Sequence, residues 1–310
     1  MKYLITKKQN QKISTVNRHL FDMLDLLVEK YNFEFINYNL FFQKNINEYL
    51  QKTYNESKFH VLILNGSSGI SDFKTNKNVK YSIIIDDLHT QGIEKKNRIK
   101  SLEVIENVFS TYGYIFYNYY PKIRYNLYWL PHSARYTNIK FNHNPINKIF
   151  ISGRLNEGLY PNRCYIVSLI KKNRNKLEYF KPNIGYRTNK IKEEHICGEK
   201  YIKKLNNYIC CFTDDACEKR PYIVAKHFEI LSSGSLLLSC NPNTKDKFES
   251  LGFKDNEHYI SCTKENMLDK INYILENKDK IDTIRNNGQK LVLEKHTYLN
   301  RTKFLMNIIF

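Results

Sequence analysis

An α/β chain of two domains, each built on a parallel sheet, is what this sequence predicts, and three observations carry the prediction. The 310 residues exceed what one hydrophobic core usually serves, so two domains of about 150 residues each are expected. Short apolar runs alternate with segments of helical periodicity from end to end, the order that builds parallel sheets covered by helices. Midway, the polar stretch Asn142-His143-Asn144-Pro145 breaks the alternation, and a fresh apolar run starts behind it at Lys148–Ser152. The boundary is therefore drawn between residues 145 and 146, giving domains 1–145 and 146–310.

The elements follow in order. Lys2–Thr6 reads as a strand, and a helix is expected from about Ser14, because Val16, Leu20, Met23, Leu24, Leu27 and Val28 recur at helical spacing. Phe33–Tyr38 alternates as a strand does, Ile46–Thr53 reads as a helix, and Phe59–Leu64 is a buried strand closed by Asn65-Gly66. Tyr81–Ile85 is another, running into Asp86-Asp87-Leu88-His89; a helix over Ile93–Phe109 and strands at Tyr112–Tyr119 and Asn126–Leu130 complete the first half. In the second half Lys148–Ser152 leads into Gly153-Arg154, Pro161 opens a helix, and strands at Leu177–Phe180 and Tyr208–Phe212 flank a helix near Glu199–Leu205. Then come a helix over Pro221–Leu231, a strand at Ser235–Ser239, a helix from Pro242 and a strand at His258–Ser261. Lys264–Phe310 is helical in pattern, with a break expected at Gly288.

Bulk properties exclude several classes. The hydrophobic share of 42% is ordinary for a globular protein, and no run reaches the ~18 apolar residues that span a bilayer. Near the N-terminus only Tyr3-Leu4-Ile5 is apolar before a cluster of lysines, which is unlike a secretory leader and points to a cytoplasmic location. The 7 cysteines all lie after residue 163 without a Cys-x-x-Cys pair, so reduced, buried thiols are expected. His195-x-Cys197 is too small a cluster to hold a metal. The net charge of +18 is spread over both halves, as compositional drift toward lysine would leave it; a specific nucleic-acid partner would concentrate it. Such a field still attracts nucleoside diphosphates and gives peripheral contact with anionic surfaces.

The segment from Glu218 to Ser239 carries the most chemistry. Pro221 presets a helix and Gly234 can end it in the left-handed conformation. Lys226 and Glu229, three apart, share a face. At the mouth of an α/β sheet such a carboxylate can accept both ribose hydroxyls while cations and helix N–H groups hold a diphosphate. On spacing alone, a solvated ion pair is the plainer reading.

Lys226-His227-Phe228-Glu229, then Ile230-Leu231-Ser232-Ser233-Gly234 and the apolar run Ser235–Ser239, resemble the C-terminal domain of group 1 glycosyltransferases, in particular the spore-maturation-protein-like subgroup. The likeness extends through Asn256–Ile260, Glu265–Leu275, Arg285-Asn286-Asn287-Gly288 and His296-Thr297-Tyr298, and includes Ser152-Gly153-Arg154 with Tyr160-Pro161-Asn162-Arg163. It implies two Rossmann-like domains of GT-B architecture with an interdomain cleft, the donor on the C-terminal domain and the acceptor on the N-terminal one. The donor-binding residues it implies are Gly153, Arg154, Lys219, Arg220, Tyr222, Lys226, Glu229, Ser233 and Gly234. A second glutamate, common in the wider group eight residues before the position of Glu229, is Pro221 here, so its sugar contacts do not carry over.

The first half resembles the group more weakly, through Ile84-Ile85-Asp86-Asp87-Leu88-His89 and Trp129-Leu130-Pro131-His132. Asp87, His89 and His132 are the catalytic candidates, since an imidazole beyond a strand can bond a donor sugar or move a proton; a packed structural histidine is the alternative. Ser67-Ser68-Gly69 reads as an acceptor loop. The expected function is transfer from a UDP- or GDP-type sugar to a glycan, protein or lipid acceptor, with retention of configuration, no obligatory metal and no other cofactor. Rivals are a sugar-nucleotide epimerase or phosphorylase of the same architecture, a basic nucleic-acid-binding protein, and a non-catalytic subunit.

Overall fold

The computed structural model describes residues 1–7, 18–37, 46–64, 78–88, 92–121, 125–181, 195–217 and 219–310. The chain divides into two compact units, one of Met1–Gln11 and Phe21–Pro131, the other of Lys12–Leu20 and His132–Phe310.

In the first unit the described residues form a parallel sheet of β1 (Lys2–Lys7), β2 (Phe33–Asn37), β3 (Phe59–Leu64), β4 (Val79–Ile85), β5 (Asn107–Ser110) and β6 (Asn126–Trp129), in the order β2-β1-β3-β4-β5-β6. β3 is buried at every position, as a central parallel strand covered on both faces must be. The order reverses between β1 and β3. The residues that follow those strands, 8–17 and 65–77, lie outside the described residues, and Ser67-Ser68-Gly69 falls among them.

The second unit carries β7 (Ile146–Ser152), β8 (Leu177–Phe180), β9 (Tyr208–Asp214), β10 (Leu236–Cys240) and β11 (Ile260–Ser261), in the order β11-β10-β9-β7-β8 with every pair parallel. Its core is apolar: Ile149, Ile151, Phe212, Leu236 and Leu238 from the strands meet Ile166, Ile271, Ile274, Ile281 and Ile284 from the helices. Here the order reverses between β7 and β9. Successive crossovers leave on opposite faces at that point, which opens a crevice outside the carboxyl ends of the two strands. Among the described residues no helix is long and apolar enough to cross a membrane.

Four expectations are corrected. The helix expected over Ile93–Phe109 spans Gly92–Leu102, and Asn107–Ser110 is β5 instead; pairing between β4 and β6 buries Val108 and Phe109 and overrides the local pattern. Tyr112–Tyr119 is aromatic and strand-prone, yet it forms the helical turns Gly113–Ile115 and Phe116–Tyr119. Gly113 packs against Trp129, whose Cα lies 2.8 Å from where a Cβ would stand, and Phe116 fills the space beside Tyr120. The helix expected from Pro221 begins at Ala225, because Tyr222 N donates to Asp215 O at 2.9 Å and keeps the preceding residues out of the helix.

Gly288, the expected break, lies inside an unbroken helix, Lys278–Lys295. A Cβ there would collide with the His258 carbonyl oxygen and come within 2.8 Å of Leu231 Cδ2. Alanine adds about 0.5–1 kcal/mol of helix preference, whereas overpacking against backbone costs about 1–3 kcal/mol. Gly288→Ala is therefore expected to lower the midpoint of urea unfolding. A higher midpoint would show that this helix does not make the close approach.

Candidate functional site

The switch point of the second sheet gathers the charged groups. β7 ends at Ser152, and Gly153 follows with φ +113°, a conformation that favours glycine. β9 ends at Asp214, whose carboxylate accepts from Arg163 Nη2 at 2.6 Å and from Arg163 N at 3.0 Å. Arg163 stands in the first turn of the helix Pro161–Ser168, so one carboxylate is held by a guanidinium and by a helix N-terminus together. Both side chains are buried, at 3% and 0% exposed. Arg163 Nη1 also donates to Arg154 O at 3.2 Å, and its guanidinium lies 3.9 Å from the centre of the Tyr160 ring.

Lys226 arrives from the helix Ala225–Ser232 and donates to Ser152 O at 2.6 Å. A Cβ on Gly153 would stand 2.6 Å from Lys226 Nζ and 3.1 Å from Arg163 Nη1. Two cations thus converge on the one residue that has no side chain. The Tyr179 hydroxyl donates to Gly153 O at 2.8 Å, and Ser152 Oγ lies 2.7 Å from Tyr201 Oη.

Burial governs the protonation of this cluster. Lys226 is pulled down to about 7, first by burial and then by Arg163, against the pull of Glu229 and Asp214. Glu229 is pushed up by burial, with Lys226 opposing. Among the described residues its carboxylate accepts no hydrogen bond and lies in no ion pair, so a solvated surface pair with Lys226 is not what forms. Asp215 is pushed up to about 7 by burial, although it accepts from Asn243 N at 3.0 Å and Thr244 Oγ1 at 3.3 Å. Converging cations, a glycine and a helix N-terminus in a desolvated crevice suit a bound diphosphate.

Other sequence candidates separate by position. Arg154 and Lys219 are exposed, Arg220 is half-buried and Tyr222 is buried; all four follow β7 or β9 on this edge. Ser233 and Gly234 do not reach it. The helix that ends with them runs back across the sheet, placing them just before β10, at the opposite end of the strands. There Ser233 Oγ donates to Ile230 O at 2.7 Å and Gly234, at φ +79°, terminates the helix.

His132 is buried, with Nδ1 3.1 Å from His19 Nε2 and its carbonyl oxygen accepting from Arg301 Nη2 at 3.1 Å. Burial, then His19, holds it well below the usual histidine value, which describes a packed, neutral imidazole. His89 lies outside the described residues. Asp87 is exposed, and its carbonyl oxygen accepts from the buried Arg98 at 2.6 Å. Its neighbour Asp86 is buried and pushed up to about 7, by burial and then by the charge of Asp87. Sequence reasoning passed over Arg163 and Asp214 as site residues. Their signals were an arginine two residues past a helix-opening proline and an aspartate closing an apolar strand.

Removing one partner of a buried pair leaves an uncompensated charge, at a cost of about 3–5 kcal/mol. Arg163→Met should lower the melting temperature severely, and adding Asp214→Asn should recover part of the loss. Additive losses in thermal unfolding would show that the two groups do not interact.

Comparison with known proteins adds three findings. Residues 164–307 match the family described as glycosyl transferase-like. No curated protein matches the chain in sequence. Solved structures share its fold: TarM, at 14% identity and TM-score 0.58 over 84% of this chain and 57% of that one, and a glycosyltransferase from Rickettsia africae ESF-5, at 13% identity and TM-score 0.60 over 99% of this chain and 97% of that one. A third is an alpha-glucosyltransferase in complex with UDP and a 13-mer DNA, at 9% identity and TM-score 0.58 over 100% of this chain and 99% of that one. The chain thus spans 57% of the length of TarM. It shares the two-sheet GT-B fold of these structures, and its residues 164–307 are similar to the glycosyl transferase-like family.

Proposed function

We propose that this chain is a nucleotide-sugar-dependent glycosyltransferase, with residues 146–310 binding the donor and residues 1–145 the acceptor. The observation that carries the reading is the convergence of Lys226 and Arg163 on Gly153 at the switch point, inside or beside the segment that matches a glycosyl transferase-like family. The donor is a UDP- or GDP-type sugar. Its diphosphate lies over Gly153, where a side chain would intrude, and faces Lys226, Arg154 and the first-turn N–H groups of the helix Ala225–Ser232. As the bond from the diphosphate to the sugar breaks, these groups stabilise the charge that develops on the leaving oxygen, a role a metal ion fills in other transferases. No metal is obligatory, and transfer proceeds with retention to a glycan, protein or lipid acceptor. Asp87 and His89, beyond β4, are the acceptor-side candidates. Glu229 accepts the ribose hydroxyls. Buried thiols at Cys210, Cys211, Cys240 and Cys262 go with a reducing, cytoplasmic location.

Two measurements test the reading. Glu229→Ala leaves ribose hydroxyls unpaired in a desolvated site, at about 1.5–3 kcal/mol, so affinity for the nucleoside diphosphate should fall by about one to two powers of ten in calorimetric titration. Equal affinities in a folded variant would sink the ribose assignment. The second uses pH. A dianion prefers protonated Lys226, whose proton is lost near pH 7, so donor affinity should weaken as pH rises through about 7, and Lys226→Met should abolish that dependence.

A second reading keeps the chemistry and changes the acceptor to nucleic acid. It draws on the net charge of +18 and on the DNA-bound fold relative. Transfer of labelled sugar to duplex DNA, strongly suppressed by added salt, would favour it.

A further inference from the structure

The carboxyl end of the helix Ala225–Ser232, which carries Lys226 and Glu229, is held by side chains from two other helices of the same unit. Gln289 Nε2 donates to Ser232 O at 3.2 Å, Asn206 Nδ2 to Ser233 O at 2.5 Å and Arg285 Nε to Gly234 O at 3.0 Å. Each of the three also donates to the segment that joins β6 to β7: Gln289 Nε2 to Ile139 O at 3.1 Å, Asn206 Nδ2 to Lys140 O at 3.1 Å, and Arg285 Nη2 to Asn142 O at 2.9 Å. Asn142 Nδ2 returns a bond to Asn206 O at 3.1 Å. We propose that Asn206, Arg285 and Gln289 are positioning residues, which set the place of Lys226 and Glu229 at the donor site by clamping the far end of their helix to this segment. What the helix binds rests on the sugar-transfer reading; how it is held does not.

The last carbonyls of a helix have no partner within it, and solvent or a cap usually meets them. Here they are met by donors that reach past the helix to a second chain segment, so neither side can shift without breaking bonds on the other. Arg285 and Gln289 stand four apart on the helix Lys278–Lys295 and share a face. Gly288, between them, admits the close approach of Leu231 and the His258 carbonyl. Gly234 in turn makes room for the amide, since a Cβ there would stand 3.0 Å from Gln289 Nε2. The two side chains are 0% and 6% exposed, the Arg285 charge is met by Asp282, and its guanidinium lies 4.6 Å from the centre of the Phe141 ring. From this clamp to Lys226 the helix spans about 12 Å, and a helix transmits an axial shift along its length. At the other end, Lys226 donates to Ser152 O at 2.6 Å, a bond that a slip of about 1 Å would break. The same slip lets water reach the ammonium, which burial and then Arg163 pull down to about 7, and its proton is then held to higher pH.

The full chain carrying Gln289→Met or Asn206→Ala would be compared with the parent and with Ile271→Val, a core change in the helix Met267–Glu276. Two quantities are read: the pH profile of acetic anhydride labelling at Lys226, followed by peptide mass spectrometry, and the affinity for UDP in calorimetric titration. Expected in both clamp variants is a labelling midpoint displaced upward by about one pH unit or more, with UDP affinity lower by about fivefold or more. Ile271→Val should leave both as in the parent. Gln289 is buried and Asn206 half-buried, so Asn206→Ala decides the matter where Gln289→Met fails to fold. An unchanged Lys226 profile in a folded clamp variant, or the same displacement in Ile271→Val, would overturn the proposal. A displaced profile in a chain that binds no UDP would support the clamp and sink the donor reading instead.

Discussion

The Arg163–Asp214 ion pair, both partners withdrawn from water where β7 and β9 diverge, fixes the geometry on which the rest of the site depends. Such a pair adds little net stability over apolar residues of the same shape, because desolvation offsets most of the Coulomb gain. Its effect is positional. Two hydrogen bonds to one carboxylate tie the helix Pro161–Ser168 to the end of β9, and a third ties the guanidinium to the carbonyl that follows Gly153. The loop leaving β7 is thereby held at a glycine, with two cations where its side chain would stand.

That arrangement makes the site a charge trap. Lys226 is half-buried beside another cation and donates to the Ser152 carbonyl oxygen. In a low-dielectric crevice the repulsion from Arg163 is felt strongly, and any dianion that enters removes it. Glu229, half-buried on the same helix, accepts no hydrogen bond at its carboxylate among the described residues, and its charge and that of Lys226 favour each other. A carboxylate and an ammonium three residues apart on one helix at a switch point suit a ligand that carries both hydroxyl donors and phosphate acceptors.

Glycine serves this fold in two ways that look alike in sequence. At Gly153 the requirement is a left-handed φ together with room for an approaching group. At Gly288 the backbone is ordinary helix, and the requirement comes entirely from outside, from the His258 carbonyl and the Leu231 side chain. Local reasoning could see the first kind, as a glycine just past an apolar strand. It misread the second as a helix break, because the cause lies in a neighbouring element.

The alternation of apolar runs with helical periodicity, the polar Asn142–Pro145 stretch and the Lys226-to-Gly234 pattern were enough to determine an α/β chain with parallel sheets, most of its strands, and the helix that carries Lys226 and Glu229. These features are local, since periodicity and turn residues act within a few positions. Where they failed, at Asn107–Ser110, Tyr112–Tyr119 and Pro221, pairing or packing with distant residues outweighed local preference. The pairing of Arg163 with Asp214 across 51 residues, the convergence on Gly153, the packing of His132 against His19, and the exclusion of Ser233 and Gly234 from the site belong to tertiary structure alone. Strand order decides which loops share an edge, and it is set by long-range burial that no short stretch of sequence encodes.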